Sequence, residues 1–501
     1  MKTKLIPLFL ILYFALLWVI QLFDVRRFIV DDSYFYLVIA RNIALHGEQT
    51  FSGLFSTNGI HPLWLYLLSA WDWVVSLACV DCLYNLYWTL PLNLGMLALG
   101  GWAGWQTAGR LGINRALFAS LPMGFLSAFH TLNSEAFLYY ASLSVLLLLA
   151  LDTGADRKRR LVAIGLAGAA VFLSRLDAVF FVAAFFVWLW FRWRNVKDWL
   201  IAALVAGTLG LAYILSNVWL FGGAVPVSGW LKSTFPEPSV RGWLISNLAT
   251  AISGYNILFG VAPLALSALA ILVLRRRLQG DIGLINPLWV GGVFHFLYTA
   301  GFTRGADSWL WYYVLPILLG ALSLALLIEL LPGAWRGRAT LLVLGLSACF
   351  CLAYTLRTLV RPLPASQGEV MLAYLEQNGI NDSTLVVTDS PGEVAFFSGN
   401  RVIGLDMLTA NRLFVNDMLA APNGLQFILD RAAQAGYPAD YLLLTSDTWL
   451  GNLIPSPDLE EVEFAFLIPG TLRDRSSSHL RLGPPIFLSD RLAVWKLEAE
   501  E

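Results

Sequence analysis

Charge is scarce in this chain of 501 residues. Asp, Glu, Lys and Arg together make up 13% of it and hydrophobic residues 58%, whereas a soluble domain carries about a quarter charged residues. A mean hydropathy of +0.66 goes with these figures and predicts a polytopic α-helical membrane protein rather than a water-soluble one. The net charge is -1, so the excess of Lys and Arg that a nucleic acid would require is missing and no nucleic-acid partner is expected. Cysteine is also rare, with four in all. Cys79 and Cys82 form a CxxC. One such pair without a second is a weak zinc signal, which leaves a disulfide or two idle thiols. A cleavage site is lacking as well. The apolar run 5–23 follows Lys2 and Lys4 but ends in Phe23-Asp24-Val25-Arg26-Arg27, not in small residues, so it reads as an uncleaved first helix.

Apolar segments recur from 5–23 to 339–356. If every one of them crossed the bilayer, Arg157-Lys158-Arg159-Arg160 and Arg275-Arg276-Arg277 would fall on the side opposite Lys2 and Lys4, against the positive-inside rule. Segment 62–79 resolves the conflict if it lies in the outer leaflet. It opens with His61-Pro62 and carries Asp72. The basic clusters then all lie inside, giving about 11 spans with the N-terminus cytoplasmic and the longer loops outside. Some spans are short (161–174), where a helix needs about 20 residues to cross; short spans suit the border of a water-filled cavity. From about 360 the composition changes. Leu385-Val386-Val387-Thr388 and Tyr441-Leu442-Leu443-Leu444 read as buried strands, and Gly424 to Ala435 as a helix with Asp430 and Arg431 on its polar side. The expected division is a transmembrane domain over 1–359 and a small extracytoplasmic α/β domain over 360–501. Asp389-Ser390-Pro391-Gly392-Glu393 reads as a strand-to-helix turn, with a plain cap favoured over a ligand loop.

The polar residues assigned to the outer face are of three kinds. The carboxylates are Asp31, Asp32, Glu135, Asp177 and Asp307. The cations are Arg41, Arg175, Lys232 and Arg304. Beside them stand Tyr34, Asn42, Asn58, His61, His130, Asn133 and the run Trp309-Leu310-Trp311-Tyr312-Tyr313. Carboxylates can deprotonate or orient a hydroxyl, or hold a divalent cation. Lys and Arg suit phosphate oxygens, and aromatic rings suit a sugar face or a headgroup region. A phosphate-linked, lipid-anchored donor attacked by a hydroxyl would use all three.

The stretch Asp31-Asp32-Ser33-Tyr34-Phe35-Tyr36, then Arg41-Asn42-Ile43-Ala44, Gly47 and Thr57-Asn58-Gly59-Ile60-His61-Pro62-Leu63-Trp64 resembles the first outer loop of GT-C glycosyltransferases. The nearest branches are the protein O-mannosyltransferases, aminoarabinose transferases and arabinofuranosyltransferases. Asn133-Ser134-Glu135 resembles their second acidic motif. Ser174-Arg175-Leu176-Asp177 resembles their Arg-x-Asp turn, with Leu where Pro is common. Pro226 to Lys232 resembles the segment whose Lys faces donor phosphate. Asp389 to Gly399 and Val402-Ile403-Gly404-Leu405-Asp406 resemble the outer soluble domain of that branch. The likeness implies a polyprenyl-phosphate sugar donor, a glycan, lipid or protein acceptor, and inversion at the sugar. It also implies a bacterial plasma membrane, with the active site and C-terminal domain extracytoplasmic.

Carried over residue by residue, the resemblance implies Asp31 as general base, with Asp32 as the alternative, and Glu135 as a further acid. Lys232, Arg304 and Arg175 would face the donor phosphate. Tyr34, Asn58, His61, Asp177 and Tyr312 would contact substrate. A divalent cation (Mg, Mn or Ca), if one is used, would sit on Asp32, Glu135 and His130. Plainer readings stand beside these. His61 can cap a helix, Arg175 and Asp177 can pair to hold a turn, Lys232 can snorkel to headgroups, and His295 can join two helices. Two rival functions also stand. A flippase of lipid-linked saccharides would place its carboxylates mid-span; a non-catalytic glycan-binding protein would need no base.

Overall fold

The computed structural model describes residues 2–129, 131–152, 156–237, 256–275, 280–303, 310–360, 366–445, 461–467, 469, 475–489 and 491–497. Two compact units emerge. One comprises 1–30, 89–213 and 239–361, the other 31–88, 214–238 and 362–501.

The first unit is helical. Among the described residues of the whole chain, five helices are long and apolar enough to cross a membrane: Leu176–Trp193, Val196–Phe221, Asp281–Thr299, Trp311–Ile328 and Gly333–Val360. Pro7–Leu22, Ala136–Ala150 and Leu258–Leu274 are shorter apolar helices. These elements make the chain a multi-pass membrane protein. The Val314–Ile328 helix is apolar on every side, and twelve of its 15 residues are buried, as befits a helix at the centre of a bundle. It packs against Ala262–Leu274 and Arg115–Ala128. Helix Leu90–Leu111 packs against Ala136–Ala150. There Asn93 donates to Asn133 Oδ1 at 2.7 Å and accepts from the Asn133 backbone N–H at 3.1 Å, pinning the turn that carries Glu135.

The second unit is built on a five-stranded sheet of order β2-β1-β3-β7-β6. Its strands are β1 (Thr384–Val387), β2 (Arg401–Gly404), β3 (Tyr441–Thr445), β6 (Phe487–Leu488) and β7 (Leu492–Lys496). β1 runs parallel to β2 and β3, while β7 closes antiparallel on β3. Strands β4 (Glu461–Leu467) and β5 (Arg475–Arg481) pair separately. All four residues of β1 are buried, as a continuous apolar run in a parallel sheet requires. Parallel neighbours need crossover helices. Pro391–Phe397 joins β1 to β2; Arg412–Ala420 and Gly424–Gln434 join β2 to β3. The chain therefore leaves β1 to one side and returns on the other, which makes the carboxyl end of β1 a topological switch point.

This unit's core is drawn from three stretches of sequence. Val227 and Leu231 of the short helix Val227–Lys232 pack with Val386, Ile403, Leu444 and Trp495. The helix Asp31–His46 lies against both Pro62–Ser76 and Pro391–Phe397. Pro62–Ser76 has 15 residues, too few to cross the hydrocarbon, where about 20 are needed. Its apolar residues divide between a packed set (Trp64, Leu65, Leu68) and an exposed set (Tyr66, Trp73, Val74). Just beyond it, Cys79 and Cys82 are joined in a disulfide, the first of the two readings of the CxxC.

Candidate functional site

The second unit gathers acids and one lysine at the carboxyl end of the parallel strands. Asp31 and Asp32 open the helix Asp31–His46, where its unpaired N–H groups favour negative charge. Helix Pro391–Phe397 begins after Ser390, which has a φ of 48° and makes no side-chain cap. The cap comes instead from Asp31, whose Oδ1 accepts the Glu393 backbone N–H at 2.8 Å. The approach is close enough to require glycine. A Cβ on Gly392 would stand 2.7 Å from the Asp31 carbonyl oxygen and 2.9 Å from its Oδ1. Gly404, at the end of β2, is likewise tight against Pro391 and Asp406: a Cβ there would stand 2.9 Å from Pro391 Cγ and 3.1 Å from Asp406 Oδ1. On the other flank, Lys232 Nζ lies 4.0 Å from Asp32 Oδ2. Both side chains are partly exposed, so this pair is open to a ligand rather than sealed.

The electrostatics follow from this crowding. Burial pushes the Asp31 carboxyl well above the usual carboxylate range. The Glu393 N–H pulls it back, and the charges of Asp32, Asp406 and Asp389 add to the upward push. Asp406 is pushed up to about 7, first by burial. The Leu408 N–H and Lys232 oppose this, and Asp32 and Asp389 reinforce it. Asp406 Oδ1 accepts from Leu408 N at 3.0 Å; Asp389 Oδ1 accepts from Ser390 N at 2.7 Å. Neither acid stands out in the sequence as a site residue, since each sits in a short turn after an apolar strand. The one usable signal is their shared position directly past β1 and β2, where ligands of such sheets bind.

A pH dependence follows. Below the ordinary carboxylate pKa Asp406 is protonated whether the chain is folded or not, and its contribution to stability is fully present. As pH rises toward about 7 the unfolded chain has lost this proton while the folded one holds it, so stability falls. Asp406→Asn stays neutral throughout. The unfolding midpoint of the variant should therefore drop less between pH 5 and pH 8 than that of the unchanged protein. Equal drops would remove this account of Asp406.

The remaining expected residues divide clearly. The sequence reading sets Tyr34 and Asn58 against substrate; in the structure both are 2% exposed. The Tyr34 ring packs on Phe396 and Phe397. Asn58 donates to Asn217 Oδ1 at 3.0 Å and accepts from Val227 N at 3.3 Å, fastening the first loop to the segment that carries Lys232. His61 takes the N-cap position before Pro62 without a side-chain cap bond.

Glu135, Arg175, Asp177 and Tyr312 belong to the first unit and form a buried ionic cluster. Arg175 Nη1 donates to Glu135 Oε1 at 2.6 Å and to the Trp311 carbonyl at 3.2 Å. Its Nη2 donates to Asp177 Oδ2 at 2.9 Å, and its Nε lies 2.8 Å from Asp177 Oδ1. The guanidinium sits 4.2 Å from the Tyr312 ring centroid. His295 Nε2 meets Asp177 Oδ2 at 2.9 Å, joining two helices. All three nitrogens of Arg175 are thus engaged, in a side chain only 3% exposed. His130, Arg304, Asp307 and Trp309 lie outside the described residues. Among the described residues no three His, Cys, Asp or Glu side chains are grouped to hold a metal ion.

No family model and no curated protein matches this chain. Among solved structures it is similar to the cryo-EM structure of the arabinofuranosyltransferase AftD from mycobacteria, at 16% identity and a TM-score of 0.35. The similarity covers 94% of this chain and 40% of that one, so the chain spans well under half the length of that enzyme.

Chemically, the edge of the second unit offers a carboxylate of raised basicity (Asp31), a more exposed carboxylate (Asp32) and an ammonium within reach of an incoming anion (Lys232). The cluster of the first unit sets the carboxylates of Glu135 and Asp177 around the single guanidinium of Arg175.

Proposed function

We propose that the chain is a membrane glycosyltransferase of the GT-C type. It moves a sugar from a polyprenyl-phosphate donor to a hydroxyl acceptor on the non-cytoplasmic face of a bacterial plasma membrane. The observation that carries this reading is the placement of Asp31 and Asp32 with Lys232 at the sheet edge, 4.0 Å separating Lys232 from Asp32. The order of the sequence motifs and the multi-pass helices support it.

Asp31 takes the proton of the acceptor hydroxyl, and a carboxyl pushed above its usual range holds that proton more firmly than an ordinary carboxylate. The freed oxygen forms a bond to the anomeric carbon as the bond from that carbon to the phosphate oxygen breaks, with inversion. The electron pair leaves on polyprenyl phosphate, where the Lys232 ammonium offsets the new charge. Asp32 orients the acceptor and positions Lys232. Asp32 is also the residue that would hold a divalent cation, which needs only one or two carboxylates beside donor phosphates; such an ion would neutralise further charge at the leaving oxygen. Glu135 and Arg175 hold the turn at 174–177 in this reading rather than touching the donor.

The test is release of polyprenyl phosphate from a labelled polyprenyl-phosphate sugar by the purified protein. Lys232→Met should slow release roughly 10²-fold, in the range of other lost charge-stabilising donors, with the folded protein intact. Movement of label across a vesicle without release would replace the transferase with a flippase, and binding with neither outcome would leave a glycan-binding protein.

A further inference from the structure

Arg41 is the clearest unexplained group outside that site. It is 8% exposed, and among the described residues its Nη1 finds no hydrogen-bond partner. Its guanidinium lies 4.2 Å from the Tyr84 ring centroid and 5.4 Å from that of Phe396. Asp72, on the helix Pro62–Ser76, is the acid whose charge reaches it, as does the Tyr84 hydroxyl; burial pushes Asp72 up to about 7. Arg41 and Asp72 do not close into an ion pair of 4.0 Å or less among the described residues. A buried guanidinium normally spends its fork of donors on carboxylate, phosphate or carbonyl oxygens, and here aromatic walls are present while the acceptor is not.

The stretch of chain that carries Tyr84 indicates what the acceptor is. Along 73–88, Trp73, Leu77, Val80, Tyr84, Tyr87 and Trp88 are all exposed, and Trp, Tyr and aliphatic side chains together are the composition found at headgroup depth in a bilayer. Asp31 lies ten residues earlier on the same helix, about 15 Å away at 1.5 Å per residue, so this is not the reacting centre.

We propose that Arg41, walled by Tyr84 and Phe396, is a binding site for the phosphate of an anionic phospholipid headgroup, docking the 31–88 segment on the membrane surface. The site does not depend on the transferase reading, and its test needs no turnover.

The protein is placed in nanodiscs of phosphatidylcholine, with or without phosphatidylglycerol, and its unfolding midpoint and co-purified lipid are measured. Phosphatidylglycerol should raise the midpoint of the unchanged protein. Arg41→Gln should hold that lipid about tenfold or more weakly, as expected for a lost charge-assisted contact, and should lose the rise. Arg41→Lys should keep only part of it, since an ammonium lacks the planar fork. Tyr84→Leu, which leaves the charge in place, should weaken it too. Asp72→Asn should strengthen the response by removing a competing charge. Equal responses of the unchanged protein and Arg41→Gln would overturn the proposal. So would a weaker response in Asp72→Asn, which would make Asp72 the partner of Arg41. A full rise produced by inorganic phosphate in phosphatidylcholine alone would overturn the lipid as the source.

Discussion

Asp31→Asn should abolish turnover while leaving the fold and donor binding in place. The expected loss in single-turnover release of polyprenyl phosphate is roughly 10²–10⁴-fold, the usual worth of a general base. Asparagine is the informative replacement because Asp31 has two tasks. Its Oδ1 caps the helix Pro391–Phe397 through Glu393 N, and an amide oxygen accepts that bond equally well, whereas it takes no proton from a hydroxyl. Asp31→Ala removes both, leaving an N-terminal N–H without its cap at a cost of about 1 kcal/mol, and confounds chemistry with folding. Asp32→Asn is the necessary companion. It is expected to weaken the hold on Lys232 and to cost less. If Asp32→Asn were the silent enzyme and Asp31→Asn the active one, the base would be Asp32. If both turned over normally, the catalytic reading of this edge would fall.

The acids of the first loop were legible because two adjacent carboxylates beside a span are conspicuous in so apolar a chain. So were strands β1 and β3 and the helix Gly424–Gln434, whose periodicity and burial are local properties. The partnerships were not legible. Asp31 and Glu393 are separated by 362 positions, and nothing in composition ties 31–88 or 214–238 to the C-terminal sheet. Their union depends on Val227 and Leu231 fitting a core, on Asn58 clamping Asn217, and on glycines at 392 and 404 permitting close approach. Asp389 and Asp406 were hidden for the same reason, since a turn acid shows its neighbours only once the strands are paired. Residue type alone does not separate the surroundings of Tyr34 and Asn58, because a polar residue beside acids in a loop reads as a ligand contact whether it faces a pocket or a packed interior.

Arg175→Met should be the most destabilising single change in the helical unit. Removing one partner of a buried, hydrogen-bonded ion cluster typically costs about 3–5 kcal/mol, because the groups left behind are charges without compensation. Here both Glu135 and Asp177 would be stranded, with the Trp311 carbonyl. The measurement is the yield of folded, detergent-extracted protein and its unfolding midpoint. Arg175→Lys should recover little, since an ammonium cannot reach Glu135, Asp177 and a carbonyl with one planar fork. His295→Asn should be milder, because Asp177 keeps its contacts to Arg175 when the imidazole is gone. Replacing Glu135, Arg175 and Asp177 together by apolar side chains should be less damaging than losing Arg175 alone, which distinguishes a stranded charge from lost packing. A stable Arg175→Met protein that binds donor poorly would reverse the assignment: Arg175 would then be a phosphate ligand, and the cluster a binding site whose cation can be removed without harm to the fold.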